Sequence, residues 1–242
     1  MPLLAVDTHV HLHPGVKADR WLMHAVNNAC RAMPAAEGLV LCLTERAGVY
    51  RFAELLERPD ATPLPDGGGV TIRPLAAPEF PVHVLPGRQV VTAQRIEVLL
   101  LGLTGDPVPD GDATDALLRE PPPGCLPVLP YGVGKWVGRR GRTVAGYPGT
   151  LKADIVGRVR LPGIPRPRGL RGHVLRGTDP LPLPGDEAVV ARFGNRVDLD
   201  TATGCWPERL LNVLRDRPRG YGRHLGLRTA LRRQLALRQT VR

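Results

Sequence analysis

Short apolar runs that lead into polar residues recur along this chain. They occupy residues 3–6, 39–43, 96–103 and 126–129, with a shorter run at 173–176. Runs of this length are typical of strands that are buried in a sheet. Two further segments, 70–75 and 82–85, have the spacing of a hairpin.

Helical periodicity is strongest over residues 19–33. One face of that helix would carry Trp21, Leu22, Ala25, Val26 and Ala29. Further helices are predicted at 52–57, 113–119, about 207–216 and about 223–239. The segments 58–69 and 158–172 are rich in proline and glycine, which predicts irregular loops.

The alternation of strands and helices predicts an α/β fold with a mainly parallel sheet. Polar residues follow different strands, among them His11, Glu45, Tyr131 and Asp179. A closed barrel brings such strand ends onto one rim, whereas an open doubly wound sheet spreads them along an edge. We therefore expect one distorted β/α barrel domain over 1–242, with its core at 3–185. A C-terminal helical extension at 205–242 should pack on the outside. The open sheet is the alternative.

The segment after the first apolar run contains a regular series of polar side chains. Asp7, His9, His11 and His13 alternate with apolar or small residues, so they share one face of a strand. Two imidazoles are costly to bury unless something pairs with them, and a divalent metal such as zinc, manganese or iron is a natural partner. The alternative is a polar strand end whose histidines bind loop carbonyl groups.

Composition narrows the class of protein. The chain has 242 residues, of which 43% are hydrophobic, so a globular core is expected. No run approaches the ~18 apolar residues of a membrane span, and we expect no signal peptide before the first strand. The four cysteines form no Cys-x-x-Cys pair, which favours free thiols in a reducing cytoplasm.

The formal net charge of +10 suggests nucleic acid as a partner at first. However, all but three of the 33 basic residues are arginines, and glycine and proline are abundant, which is typical of a GC-rich genome. Aromatic residues make up only 4% of the chain and do not alternate with basic ones as in base-stacking proteins. Nucleic-acid binding is therefore the least favoured function.

Five segments resemble the PHP (polymerase and histidinol phosphatase) superfamily in order and rough spacing. They are Asp7–His11, Gly38–Arg46, Pro86–Gly102, Leu126–Gly132 and Gly177–Leu181. The resemblance implies a PHP-like barrel with metal ligands at His9, His11, Glu45 and Asp179. It also implies that Asp179 is a catalytic residue, acting as a general base. A turn role for Asp179 is the alternative, because Thr-Asp-Pro is good turn chemistry.

The sequence also departs from the PHP pattern. Family histidines are replaced by Arg46, Leu99, Tyr131 and Leu181, and the glutamate expected after Gly87 is Gln89, or Arg88 with a slip of one residue. The trinuclear metal cluster of the family is therefore hard to build. We expect one divalent ion, or none.

Basic residues near these segments suggest how a substrate would bind. Lys135 follows a glycine-rich turn, and we expect it to be a catalytic and substrate-binding residue. Arg46, Arg139 and Arg140 are further candidates for binding a phosphate or carboxylate. The alternative for the last two is a solvated basic helix face.

The favoured function is a metal-dependent hydrolase, namely a phosphoesterase that uses a metal-bound water at the barrel rim and a small anionic substrate. Amidohydrolase-type C–N hydrolysis is an alternative, although no convincing pair of later histidines supports it. The non-enzyme alternative is a degenerate barrel that binds a ligand or partner and keeps His9 and His11 as relics. No membrane association is expected, and the sequence does not indicate an oligomeric state.

Overall fold

The structure is a computed structural model that describes residues 1–64, 67–105, 108–132, 135–136, 138–147, 150–154, 174–202, 205–216 and 218–240. Its strands are β1 (Leu3–Val10), β2 (Gly38–Leu43), β3 (Ala61–Pro63), β4 (Val70–Ile72), β5 (Val82–Leu85), β6 (Gly87–Val91), β7 (Glu97–Leu101), β8 (Leu126–Tyr131), β9 (Leu151–Asp154), β10 (Val174–Leu175), β11 (Phe193–Asp198) and β12 (Arg219–Gly222). Its helices are α1 (Ala18–Ala32), α2 (Arg51–Leu56), α3 (Thr114–Arg119), α4 (Arg139–Ala145), α5 (Trp206–Arg215) and α6 (Leu227–Thr240). The loop predicted at 158–172 lies outside the described residues.

The strands form two mixed sheets. The order is β12-β11-β1-β2-β5-β4-β3 in a seven-stranded sheet and β10-β9-β8-β7-β6 in a five-stranded sheet. Antiparallel pairs join β11 to β1 and β12, β4 to β3 and β5, and β7 to β6 and β8. The predicted distorted PHP-like β/α barrel is therefore wrong, because the described strands form no closed β/α barrel.

The connections explain this difference. A parallel crossover needs a dozen or more residues, whereas antiparallel neighbours need only a short turn. Only residues 92–96 separate β6 from β7, so these two strands pair as a hairpin. The sequence interpretation did not identify β6, β11 and β12, whose glycine and arginine residues interrupt the apolar pattern.

Strand β1 lies inside the larger sheet, parallel to β2 and antiparallel to β11. Its two faces contribute to different apolar clusters. Ala5 and Val10 pack in the cluster that contains α1, while Leu4 and Val6 pack in the cluster that contains α5. The first strand is therefore buried on both faces.

Backbone hydrogen bonds connect the two sheets beyond the ends of β1 and β2. The Glu45 amide donates to the Gly87 carbonyl at 3.0 Å, and the Gln89 amide donates to the Glu45 carbonyl at 2.8 Å. On the other side, the Asp179 amide donates to the His9 carbonyl at 2.8 Å. Segments from both sheets therefore meet at the carboxyl end of β1.

The two C-terminal helices differ in burial, and neither matches the expected outer layer. Trp206, Leu210 and Leu214 of α5 are fully buried in a cluster that both sheets share, so α5 is part of the interior. In α6, by contrast, Leu231 and Leu235 are 42% and 59% exposed. Within the described residues, no helix has the length and hydropathy that a membrane span requires.

This contrast gives a prediction about stability. Leu210→Ala should lower the free energy of unfolding by about 2–5 kcal/mol, because it leaves a cavity in a shared core. Leu235→Ala, a matched change on the exposed face of α6, should change it by less than about 0.5 kcal/mol. Urea unfolding followed by circular dichroism measures both values. Equal effects of the two substitutions would contradict the packing described.

Candidate metal centre

Three buried side chains meet at the carboxyl end of β1. His9 belongs to this strand, His11 follows directly after it, and Asp179 comes from the segment after β10. The Nε2 atoms of His9 and His11 lie 3.2 Å apart. Asp179 Oδ1 lies 3.5 Å from His9 Nε2 and 3.3 Å from His11 Nε2. The three side chains thus offer donor atoms at the corners of a nearly regular triangle.

The size of this triangle fits a metal site. Two ligands of a tetrahedral zinc ion, each bonded at about 2.0–2.1 Å, lie about 3.3 Å from each other. The described residues supply no hydrogen bond to Asp179 Oδ1, although the atom is buried. A buried carboxylate oxygen without a donor is costly unless a cation is near. The cluster can therefore hold a metal ion.

The protonation states also suit metal binding. Burial lowers the pKa of His9 to about 3, so its imidazole is neutral near pH 7. Burial would raise the pKa of Asp179, but the contacts with His9 and Lys135 overcome this and hold that pKa well below its usual value. A neutral imidazole and an ionised carboxylate are the forms that bind metals.

Gln89 adds an amide beside the cluster. Its Oε1 atom lies 3.3 Å from His9 Nε2, and its side chain is buried. Strand β6 places this side chain there, because the backbone N–H of Gln89 donates to the Glu45 carbonyl at the junction of the two sheets. Gln89 stands where the PHP resemblance implied a glutamate. The sequence analysis treats Gln89 as a departure from the PHP pattern and does not assign it to the metal site.

The carboxylate of Asp7 positions the segment that carries Asp179. Asp7 Oδ1 accepts a hydrogen bond from the Thr178 amide at 2.9 Å, and Oδ2 accepts bonds from the Thr178 hydroxyl at 2.5 Å and the Ala191 amide at 2.9 Å. Burial raises the pKa of Asp7 to about 7, although these bonds oppose the rise. Asp7 therefore links strand β1 to a segment 171 residues away.

Gly177 allows this close approach. A Cβ atom at this position would lie 2.4 Å from His9 Cβ and 2.7 Å from the His9 amide nitrogen. The next residue but one, Asp179, has φ of 44°, a conformation that aspartate tolerates better than most residues. The backbone thus turns tightly to direct Asp179 back to the histidines.

Helix α6 also holds this segment. Arg233 Nη2 donates to the Asp179 carbonyl at 2.9 Å and to Asp186 Oδ2 at 2.5 Å. Asp186 Oδ2 accepts a further bond from the Leu181 amide. The side chain of Arg233 is accordingly only 12% exposed, although arginines on a terminal helix usually face solvent.

Lys135 lies beside the cluster. Its Nζ atom donates to Asp179 Oδ2 at 3.1 Å and pairs with Glu97 Oε2 at 2.6 Å. Burial opposes the charge of Lys135, but the two carboxylates offset this and raise its pKa. The lysine therefore remains a cation. Its side chain packs over Gly132, which leaves room for it.

Glu45 is outside the cluster that the described residues form. Its Oε1 accepts a hydrogen bond from the Phe52 amide at 2.8 Å, so this carboxylate caps the start of α2. The expectation that Glu45 is a metal ligand therefore has no support here. Because Phe52 follows Glu45 by seven residues, no local sequence pattern indicates this capping role.

The three predicted substrate-binding arginines lie elsewhere. The Arg46 carbonyl accepts a bond from Arg88, and Arg46 is near His13. Burial, followed by the neighbouring His11, lowers the pKa of His13 to about 4. Arg139 and Arg140 begin helix α4 and are exposed, and the described contacts of the cluster do not include them.

Comparisons with known proteins add one finding about the fold. No protein-family model and no curated protein matches the chain. The crystal structure of PsfC from Pseudomonas syringae PB-5123 is similar, with a TM-score of 0.56 over 100% of both chains and 16% sequence identity. At this identity the similarity concerns the overall fold alone. The resemblance to the PHP superfamily receives no support from these comparisons.

The contacts of Arg233 generate a prediction about metal affinity. Arg233→Gln should weaken zinc binding by roughly 10–100-fold, because residues that orient metal ligands have effects of this size. Zinc affinity is measured by competition with a chromophoric chelator, and circular dichroism checks the fold.

Arg232 provides the matched control, because it is the preceding residue of the same helix and its side chain is exposed. Arg232→Gln should leave zinc affinity unchanged. Equal affinities for the two variants would show that Arg233 does not position Asp179.

Proposed function

We propose that the protein is a metal-dependent hydrolase of small phosphoesters, with one divalent ion held by His9, His11 and Asp179. The observation that carries this proposal is the triangle of donor atoms, with separations of 3.2, 3.3 and 3.5 Å. A divalent ion bound there would supply Lewis acidity and would lower the pKa of a bound water molecule towards neutral pH.

The two oxygens of Asp179 have different partners. Oδ1 faces the histidines, and Oδ2 accepts a hydrogen bond from Lys135. This bond fixes the carboxylate plane, so Oδ1 remains directed at the imidazoles. Because its pKa is held well below the usual value, Asp179 is a weak base. We assign it to metal binding, in place of the general-base role expected from the sequence.

Lys135 is the residue that suits a phosphoryl group. An ammonium group has three N–H donors, of which Glu97 and Asp179 engage two. The third would donate to a phosphoryl oxygen and stabilise the negative charge that develops there. A partly buried cation next to the cluster favours a phosphoester over the neutral amide of C–N hydrolysis.

Burial of the cluster supports one alternative function. His9, His11 and Asp179 are 0%, 4% and 3% exposed, and a closed environment is typical of structural metal sites. The ion would then stabilise the junction of the two sheets, and the protein would bind a ligand or partner without catalysis. Metal removal separates the two functions, because a structural ion raises the melting temperature without supporting turnover.

Asp179→Asn tests the catalytic function. The substitution should lower metal-dependent hydrolysis of 4-nitrophenyl phosphate by at least ~100-fold, because an amide is a poorer metal ligand than a carboxylate. Lys135→Met should lower kcat and kcat/KM together, because the lysine is assigned to negative charge that develops in the transition state. Release of nitrophenolate is followed after loading with zinc, manganese or iron.

Asp112→Asn, on an exposed loop, is the control and should retain full activity. No hydrolysis by the wild-type protein with any of the three metals would contradict the proposal. Equal activity of the wild-type and Asp179→Asn proteins would contradict it as well.

A further inference from the structure

A cleft of about 800 Å³ opens beside the candidate metal centre. His11 and His13 line it at the end nearest the cluster. Because His13 Nε2 donates to the Pro180 carbonyl at 2.7 Å, the ring is fixed at this position. Pockets for small molecules have volumes of roughly 300–1,000 Å³, so the cleft is large enough for a substrate of ordinary metabolite size.

One wall of the cleft is apolar. It is formed by the segment after Asp179, with lining residues Leu181, Pro182, Leu183 and Pro184. The bonds of Arg233 and Asp186 hold both ends of this segment, so the wall has a defined position relative to the cluster. Pro14 and Val16 add further apolar surface to the cleft.

The charges in the cleft are few. Arg20 pairs with Glu187 at 2.9 Å, which neutralises both groups. Lys17 is the one lining cation for which the described residues give no ion pair. None of the arginines predicted to bind substrate, Arg46, Arg139 and Arg140, lines this cleft in the described part of the chain. The cleft therefore suits a ligand whose body is mainly apolar.

We propose that this cleft binds the apolar group of a small phosphomonoester, with the phosphoryl group directed at His11. The inference rests on the proposed function, and it adds the class of substrate, namely esters of apolar or aromatic alcohols. Sugar phosphates and other strongly polar esters would leave the wall at 181–184 without a partner.

Phosphonates provide a test that does not depend on turnover, because their P–C bond is not hydrolysed. Phenylphosphonate and methylphosphonate share the anionic head and differ in the apolar group. We expect the full-length protein to bind phenylphosphonate at least ~10-fold more tightly, since burial of an aromatic ring is favourable by an amount of this order. Isothermal titration calorimetry measures both affinities, in metal-free and in zinc-loaded protein.

Leu183 is the residue to change, because it lines the cleft and is only half-buried. Leu183→Asn should reduce the preference for the phenyl group to about 3-fold or less, as should Val16→Asn at another lining residue. Leu235→Asn, on the exposed face of α6, is the matched control and should leave the preference unchanged.

The outcomes separate this inference from the proposed function. A phenyl preference that Leu183→Asn removes supports the cleft, even if phenyl phosphate is never hydrolysed and the proposed function fails. Phosphonate binding without a phenyl preference overturns the inference, even if the protein is an active phosphatase. A preference that neither cleft variant alters, or no phosphonate binding in either metal state, overturns it as well.

Discussion

The buried carboxylate of Asp7 is the interaction on which the rest of the site depends. It accepts hydrogen bonds from Thr178 and Ala191, and it lies in the same strand as His9. These bonds fix the turn after β10 against β1, together with the hydrogen bond from His13 to the Pro180 carbonyl. Burying a carboxylate is costly, and here several backbone and hydroxyl donors offset part of the cost. These bonds restrict the conformation of the turn. They hold Asp179 close to His9 and His11, although it is distant from them in sequence.

A second set of contacts holds the other side of the same turn. Arg233 from α6 binds the Asp179 carbonyl and Asp186, while Lys135 binds the Asp179 carboxylate. Asp179 is thus held by residues from distant parts of the chain. The same turn continues into the apolar wall of the cleft, so the candidate metal centre and the cleft share one segment.

The parts of this structure that depend on local sequence were predictable. Buried strands such as β1 and β2 and the helix α1 follow from apolar periodicity, and His9 and His11 follow from their spacing in one strand. The arrangement of the strands in two mixed sheets was not predictable. Strands such as β11 mix apolar and polar residues, so the apolar pattern did not reveal them or the direction in which they pair. The roles of Glu45 and Arg233 also depend on neighbours in space. A carboxylate that caps a helix and one that binds a metal look the same in sequence.

X-ray absorption spectroscopy of the zinc-loaded protein measures whether His9, His11 and Asp179 bind one metal ion. We expect one zinc per chain with two imidazole ligands and oxygen ligands at about 2.0–2.1 Å. The imidazole signal should disappear in the His9→Ala/His11→Ala variant. A spectrum with thiolate ligands at about 2.3 Å, or one that is unchanged in this variant, would contradict the account.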